Sequence, residues 1–278
     1  MNRKHRKSLK QYLAGPYLIW MTGFTIIPLF LIAWYGLTDA SGSFTLDNVL
    51  SIATPEHAKA LFLSLGLSLL STAICLLLAY PLAMILRKKN IGRSSFIVFI
   101  FILPMWMNFL LRTLAWQTLL EKNGVINGIL SALHLPNIAI INTPAAIVLG
   151  MVYNYVPYMI LPLYTSMTKI DQSIVEAAQD LGASTTKTLL RVLIPMSIPG
   201  ISTGITMVFV PAVSTFVISR MLGGGSNLLI GDLIEMQFLG NSYNLNVGSA
   251  MSLVLMVIVL LCMSFTSSFD EDEMEGVS

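Results

Sequence analysis

Glu176-Ala177-Ala178, three further residues, Gly182, and then Val192-Leu193-Ile194-Pro195 set a carboxylate among small residues at close spacing. A carboxylate at 176 can pair with a basic group on a partner, and Ala177, Ala178 and Gly182 let two backbones approach closely. That is the chemistry of docking, not of bond making. Catalytic constellations are missing elsewhere. His5, His57 and His134 are scattered, with no H-E-x-x-H, no G-x-x-x-x-G-K-S/T phosphate loop and no G-x-S-x-G elbow. Cys75 and Cys262 each lie inside an apolar run, without a C-x-x-C, so neither a disulfide framework nor a zinc site is implied. An intramembrane hydrolase needs a Ser–His or Asp–Asp pair at depth, and the apolar runs hold no His or Asp.

The elements that position this run must sit in lipid. Of 278 residues, 55% are hydrophobic and 11% charged, and mean hydropathy is +0.76. A soluble domain carries roughly 25% charged residues. Five uncharged runs (13–38, 60–86, 135–168, 192–219 and 236–269) are long enough to cross a bilayer, and a sixth, 94–111, continues apolar past Arg112 to Leu120. Backbone groups in lipid must pair within their own segment, so the spans are helices, expected near 15–37, 61–86, 95–118, 144–166, 199–219 and 247–268. The first run is too long for a signal-peptide core and reads as a retained span.

Orientation follows the basic residues. Arg3, Lys4, Arg6, Lys7 and Lys10, then Arg87, Lys88, Lys89 and Arg93, then Lys169, Lys187 and Arg191 fall on one side, against Lys59, Lys122, Arg220 and Arg112 on the other. Both termini are therefore expected in the cytoplasm, and the acidic tail, 269–278, is expected to be a solvated, frayed end. Of the outward connections, 39–59 is polar, and 120–143 suggests a short amphipathic helix through Val125, Ile129, Leu130 and Leu133. The connection 221–247 opens on Gly223-Gly224-Gly225-Ser226-Asn227 and then holds an apolar stretch too short to cross, read as interfacial or re-entrant. Pro28, Pro81, Pro104, Pro157, Pro162 and Pro211 punctuate the spans. They either kink helices around a cavity or reflect the ordinary tolerance of membrane helices for proline. Gly200-x-x-x-Gly204 predicts a close helix contact.

The longest inward connection, 167–198, reads as helix, turn, helix. Asp171 is a natural N-cap. Ile174, Val175, Ala178 and Leu181 share one apolar face. Gly182 suits the left-handed stop, Ser184 caps the next helix, and Leu189, Leu190, Leu193 and Ile194 are its apolar residues. Pro195 and Pro199 mark entry to the fifth span.

Taken as a string, Glu176 through Pro195 resembles the EAA loop of ABC importer permeases, with Val192 where isoleucine is usual. Pro104-Met-Trp106-Met-Asn108 with Arg112, Gly150 to Tyr153, Pro162 to Tyr164, Asn227 to Gly231 and Gln237-Phe238-Leu239 are similar to the spermidine/putrescine branch of that family. The resemblance implies an all-α, six-span, type I importer permease in a bacterial inner membrane that does no covalent chemistry. It implies that 167–198 is the coupling loop, with Glu176, Ala177, Ala178 and Gly182 at the contact. It further implies a second permease subunit, a pair of cytoplasmic ATPases and an extracytoplasmic polyamine receptor as partners. ATP and Mg belong to the ATPases, and no nucleic acid or metal is called for. A polyamine path should offer aromatic faces and carboxylates. Trp106, Asn108, Tyr153, Asn154 and Tyr155 are the lining candidates, with Asp232 and Glu235 the outer carboxylates. Against this, Trp and Tyr also anchor helices at headgroup depth, the role read for Tyr17, Trp20, Trp34 and Tyr35. Arg112 is expected to snorkel outward or to pair with Glu121 or another helix. A permease for another solute and a stand-alone carrier or channel stay open as alternatives.

Overall fold

The computed structural model describes residues 15–88, 103–240 and 243–275. The basic amino terminus, Lys89 and Arg93, and the start of the expected third span lie outside them. Among the described residues the chain is all-helical, with one isolated bridge between Thr38 and Phe44. In chain order we label α1 (Gly15–Gly36), α2 (Pro55–Lys88), α3 (Phe109–Leu120), α4 (Val125–Ala132), α5 (Pro144–Lys169), α6 (Gln172–Asp180), α7 (Thr185–Met196), α8 (Ile198–Val213), α9 (Val217–Leu222), α10 (Ile230–Leu239) and α11 (Leu245–Glu275). Among the described residues, four helices (α1, α2, α5 and α11) are long and apolar enough to cross a membrane. The α7–α8 pair, bent by 67°, makes a fifth if counted as one span.

Three expectations change. The third span is not one helix from 95 to 118. Its described part is a short turn, Leu103–Trp106, and then α3, which starts afresh where Asn108 Oδ1 accepts the Leu110 and Leu111 N–H groups. The fifth breaks after Val213, and α9 resumes at Val217. The acidic stretch 270–275 continues α11 instead of fraying. After Gly248 no Gly or Pro interrupts that helix until Gly276.

Proline placement explains the irregular turns. A wide, π-type turn covers Thr22–Ile26 just before Pro28, and another covers Leu189–Leu193 just before Pro195. Proline has no N–H, and its ring crowds the carbonyl four residues back. That carbonyl lies inside the widened turn in both cases.

The chain divides into two compact units. In one, Met1–His57 with Ile234–Val257, the end of α1 meets the start of α11. A Cβ on Gly36 would stand 2.7 Å from Leu253 Cδ1 and 3.1 Å from the Ala250 N. Asn246 Nδ2 donates to the Tyr35 and Thr38 carbonyls at 3.0 and 2.6 Å, satisfying acceptors that a helix end leaves open. Past α1, Asp39 gathers the Ser41 hydroxyl and the Ser43 and Ser41 amides, which hold its carboxyl below the ordinary range.

The other unit, Ala58–Leu233 with Ile258–Ser278, is built on α2, α5 and α8. The buried side of α2 is a ladder of small residues: Ser64, Ser68, Ser71, Cys75, Ala79 and Ala83, each fully buried. Ser71 Oγ donates to Met151 Sδ at 3.3 Å, so α5 approaches along that ladder. On its other side α5 packs closely on α8. A Cβ on Gly200 would lie 2.5 Å from Ser166 Cβ and 2.8 Å from the Pro162 carbonyl oxygen, and one on Gly204 would lie 2.5 Å from Met159 Sδ. Without a hydrophobic force between helices in lipid, such close backbone approach supplies the packing energy.

Gly200→Ala is therefore expected to cost about 1–3 kcal/mol by overpacking against a carbonyl that cannot yield. Gly66→Ala, with nothing within 4 Å of the new methyl, should be neutral or gain about 0.5–1 kcal/mol of helix propensity. Thermal unfolding of the two variants in the same detergent checks the pair.

Candidate functional site

The hairpin between α5 and α8 closes its own backbone. Asp171 Oδ1 accepts the Ser173 N–H at 3.1 Å and starts α6. At the other end Gly182 takes φ +81°. Its N–H donates to the Gln179 carbonyl at 2.8 Å, and the Ala183 N–H reaches back to Ala178 at 3.0 Å. This is a Schellman closure with glycine at the left-handed position. Ser184 then caps α7 through the Lys187 N–H. One side of the hairpin is anchored, with Val175 buried against Ile170 and Leu193. Arg87, at the end of α2, donates through Nη2 to the Ile170 carbonyl at 3.1 Å and to Gln172 Oε1 at 3.4 Å.

The apolar face expected on α6 does not pack as a whole. Val175 turns inward, whereas Ile174 is 40% and Leu181 90% exposed. Glu176 and Ala177 are also exposed, and Ala178 is half-buried. Ile174, Ala177 and Leu181 stand at i, i+3 and i+7, one stripe of a helix. The hairpin thus holds an exposed apolar stripe with a carboxylate beside it.

The other candidates do not converge on one surface. Successive residues of a helix point about 100° apart, and Tyr153, Asn154 and Tyr155 divide accordingly. Tyr153 packs edge-on against Trp116 of α3 at 5.3 Å. Asn154 is buried, its Nδ2 donating to the Gly150 carbonyl at 2.9 Å, while its Oδ1 has no hydrogen-bond partner among the described residues. The Tyr155 hydroxyl donates to the Pro211 carbonyl at 3.3 Å, just before the break that ends α8. Trp106 is exposed in the turn before α3, and Asn108 spends its Oδ1 on the α3 cap. Asp232 lies inside the protein, only 1% exposed, not in the outer solvent. Its Oδ2 accepts the Leu229 N–H at 2.8 Å. Beside it, the Ile230 N–H donates to Ser64 Oγ at 2.8 Å, so the start of α10 is held in the interior. Glu235, one turn on, is half-buried.

Arg112 neither snorkels nor pairs with Glu121. It is 6% exposed, and its Nε and Nη1 are sealed without a hydrogen-bond partner among the described residues. A cation in this state is costly, which makes it a candidate functional group in its own right. The small-residue ladder on α2 was not singled out from the sequence as a site. Its signal was present as Ser64, Ser68, Ser71, Cys75, Ala79 and Ala83 at three- and four-residue spacing. Within it, Ser64 accepts the Ile230 N–H and so holds the start of α10.

The family described as binding-protein-dependent transport system inner membrane component matches residues 79–270. The spermidine/putrescine transport system permease protein PotB of Escherichia coli K12 is 37% identical over 86% of this chain and 90% of its own length. PotB of Haemophilus influenzae is 36% identical over 87% of each chain. The E. coli inner membrane ABC transporter permease protein YdcU is 26% identical over 91% of this chain and 87% of its own. In structure, a chain of a bacterial alginate ABC transporter, crystallised with an alginate-bound periplasmic protein, superposes with TM-score 0.78 at 17% identity. That match covers 94% of this chain and 93% of that one, and it speaks to the fold alone.

The Ser173 amide and hydroxyl hold the Asp171 carboxyl below its ordinary 3.8. A depressed folded value means that the cap contributes fully above 3.8 and is lost as pH falls below it. Amide protection factors at the start of α6, with the intrinsic exchange rate divided out, should therefore be flat above that pH and fall below it. Asp171→Asn should keep the cap and lose the pH dependence.

Proposed function

The chain belongs to the binding-protein-dependent transport system inner membrane component family, of membrane transport subunits and not enzymes, and from that premise we propose that it is the PotB-like permease of an ATP-driven polyamine importer. Spermidine and putrescine are the cargo in this reading, drawn from the relatives at 36–37% identity. The subunit forms one half of the pathway beside a PotC-type permease. A pair of PotA-type ATPases engages it from the cytoplasm, where both termini lie, and a PotD-type receptor delivers cargo from outside. ATP and Mg reside on the ATPases. ATP binding closes the ATPases and pulls on α6, and hydrolysis resets the membrane helices.

One observation carries the reading: a hairpin capped at both ends that leaves Ile174, Ala177, Leu181 and Glu176 in water. Force passes only through a stiff contact. The Asp171 cap, the Gly182 closure and the Arg87 tie supply stiffness, and the exposed stripe supplies the surface for a partner. Glu176, Ala177, Ala178 and Gly182 are the coupling residues of this proposal. The candidate pathway residues are Trp106, Tyr153, Asn154, Tyr155, Asp232 and Glu235, with Asn108 ordering the turn that presents Trp106. Aromatic faces attract an ammonium by about 0.5–2 kcal/mol in partly dry sites.

Co-expression with a PotA-type ATPase, followed by purification on a tag carried by this chain, should recover a complex with receptor-stimulated ATP hydrolysis. Uptake by the purified chain alone, driven by an ion gradient, would end the importer reading. Glu176→Lys should leave insertion intact and lower ATPase recovery by about tenfold or more, the loss of a charge pair worth 1.4 kcal/mol or above. Unchanged recovery and uptake would remove Glu176 from the contact. Arg112→Met removes a buried charge whose Nε and Nη1 have no hydrogen-bond partner among the described residues, so the thermal midpoint should hold or rise. If Arg112 serves transport, uptake by that variant should fall in the same preparation.

A further inference from the structure

We propose that α4 is an interfacial helix that rests its Val125, Ile129 and Leu133 stripe in the lipid at the membrane surface opposite the coupling hairpin. The orientation, not the contact, rests on the hairpin reading above, since α5 separates the two.

The roll of α4 is set by one side chain. Asn127 is buried (3% exposed). Its Nδ2 donates to the Glu121 carbonyl at 3.1 Å and the Ile138 carbonyl at 3.0 Å, and its Oδ1 accepts the Ile138 N–H at 2.8 Å. Two residues to either side of Asn127, at about 200° around the helix, lie Val125 and Ile129, which must therefore point away. They are 55% and 57% exposed. Leu133 continues the stripe at 63%, with Leu135 at 50% and Ile138 at 41% beyond it. Ile126 turns the other way and packs on the core.

The height of α4 is set by its neighbour. A Cβ on Gly124 would stand 2.5 Å from the Thr118 carbonyl oxygen and 2.7 Å from that of Leu119, so α4 starts against the last turn of α3. Glu121 and Lys122, between the helices, mark where α3 reaches water. On α3 itself Leu110, Leu111 and Leu114 are 52%, 61% and 48% exposed, so the apolar outer surface of a membrane helix leads up to α4.

Charge decides the occupant. From Asn123 to Thr168 the chain carries no Asp, Glu, Lys or Arg, and His134 is its one titratable group outside Tyr. The stripe offers a charged protein surface nothing to pair with, whereas lipid asks only for apolar area. Because the charges nearest the stripe are the opposite pair Glu121 and Lys122, with no basic cluster, insertion should depend neither on anionic lipid nor on salt, unlike a basic amphipathic anchor.

The test uses the assembled transporter in phosphatidylcholine proteoliposomes. Nitroxides are placed singly through Ile129→Cys, Leu133→Cys and, as the polar-side control, Ser131→Cys, in a Cys75→Ala, Cys262→Ser background. Accessibility to oxygen and to a water-soluble nickel chelate is compared. Labels at 129 and 133 should report a depth of about 5–10 Å, and the label at 131 should favour the chelate. Adding one-third phosphatidylglycerol or 0.5 M salt, on the order of a 3–5 Å screening length, should change neither. Free access of the chelate to 129 and 133 overturns the proposal, as does exclusion of both reagents, which would mean that a receptor or second permease covers the stripe. ATP-driven uptake is read on the same vesicles. Intact uptake with chelate-accessible labels sinks the interfacial helix alone, and absent uptake with buried labels counts against the importer reading alone.

Discussion

Hydrocarbon offers a peptide group nothing to bond with, and this chain shows that scarcity wherever its helices stop being regular. An interior N–H or carbonyl left open costs several kcal/mol in lipid. Each interruption is met by a local remedy. The turns before Pro28 and Pro195 widen to π geometry. Asn108 closes the start of α3 with its own amide oxygen. Ser64, in the first third of α2, takes the Ile230 N–H at the head of α10. The carbonyls at the end of α1 are collected by Asn246. A chain that meets these demands side chain by side chain can carry breaks and bends in a bilayer, and a transport subunit needs such joints if its helices are to move.

The hairpin follows the same rule, with a different result. There the backbone closes on itself through Asp171, Gly182 and Ser184, so no partner is needed to complete it. Its apolar residues are left over. Leu181 at 90% exposure is a poor choice for a free aqueous turn and a good one for a surface that spends its life covered. The stripe on α4 poses the same question at the other end of α5, and there the lack of charge points to lipid.

Inside the helices, polarity is concentrated at a few places. Arg112 Nε and Nη1 and the Asn154 Oδ1 are sealed without a hydrogen-bond partner among the described residues, and Asp232 is buried at the head of α10. Polar groups of this kind are expensive to keep in an apolar interior. Around them the small-residue faces of α2 and α8 allow tight contact with α5.

Local rules made much of this legible from residues alone. Lipid as solvent followed from the shortage of charge. The cap at Asp171, the stop at Gly182 and the restart at Ser184 followed from what those side chains can do within three or four residues. The Gly200–Gly204 contact followed from the absence of a Cβ. Other features depended on neighbours far along the chain. Asp232 read as an outer carboxylate because nothing nearby in sequence could bury it, and only folding brings α10 down onto Ser64. The α6 residues share one apolar face by their periodicity, yet among the described residues the cluster there is small, Ile170 and Leu193 with Met84 and Leu189 against them, enough for Val175 and not for Leu181. Tyr153, Asn154 and Tyr155 read as one group because they are adjacent, and helical rotation separates them. Short-range hydrogen bonding and hydropathy are written into the sequence. Which side of a helix finds a neighbour is decided by packing between distant segments, and that belongs to the tertiary structure.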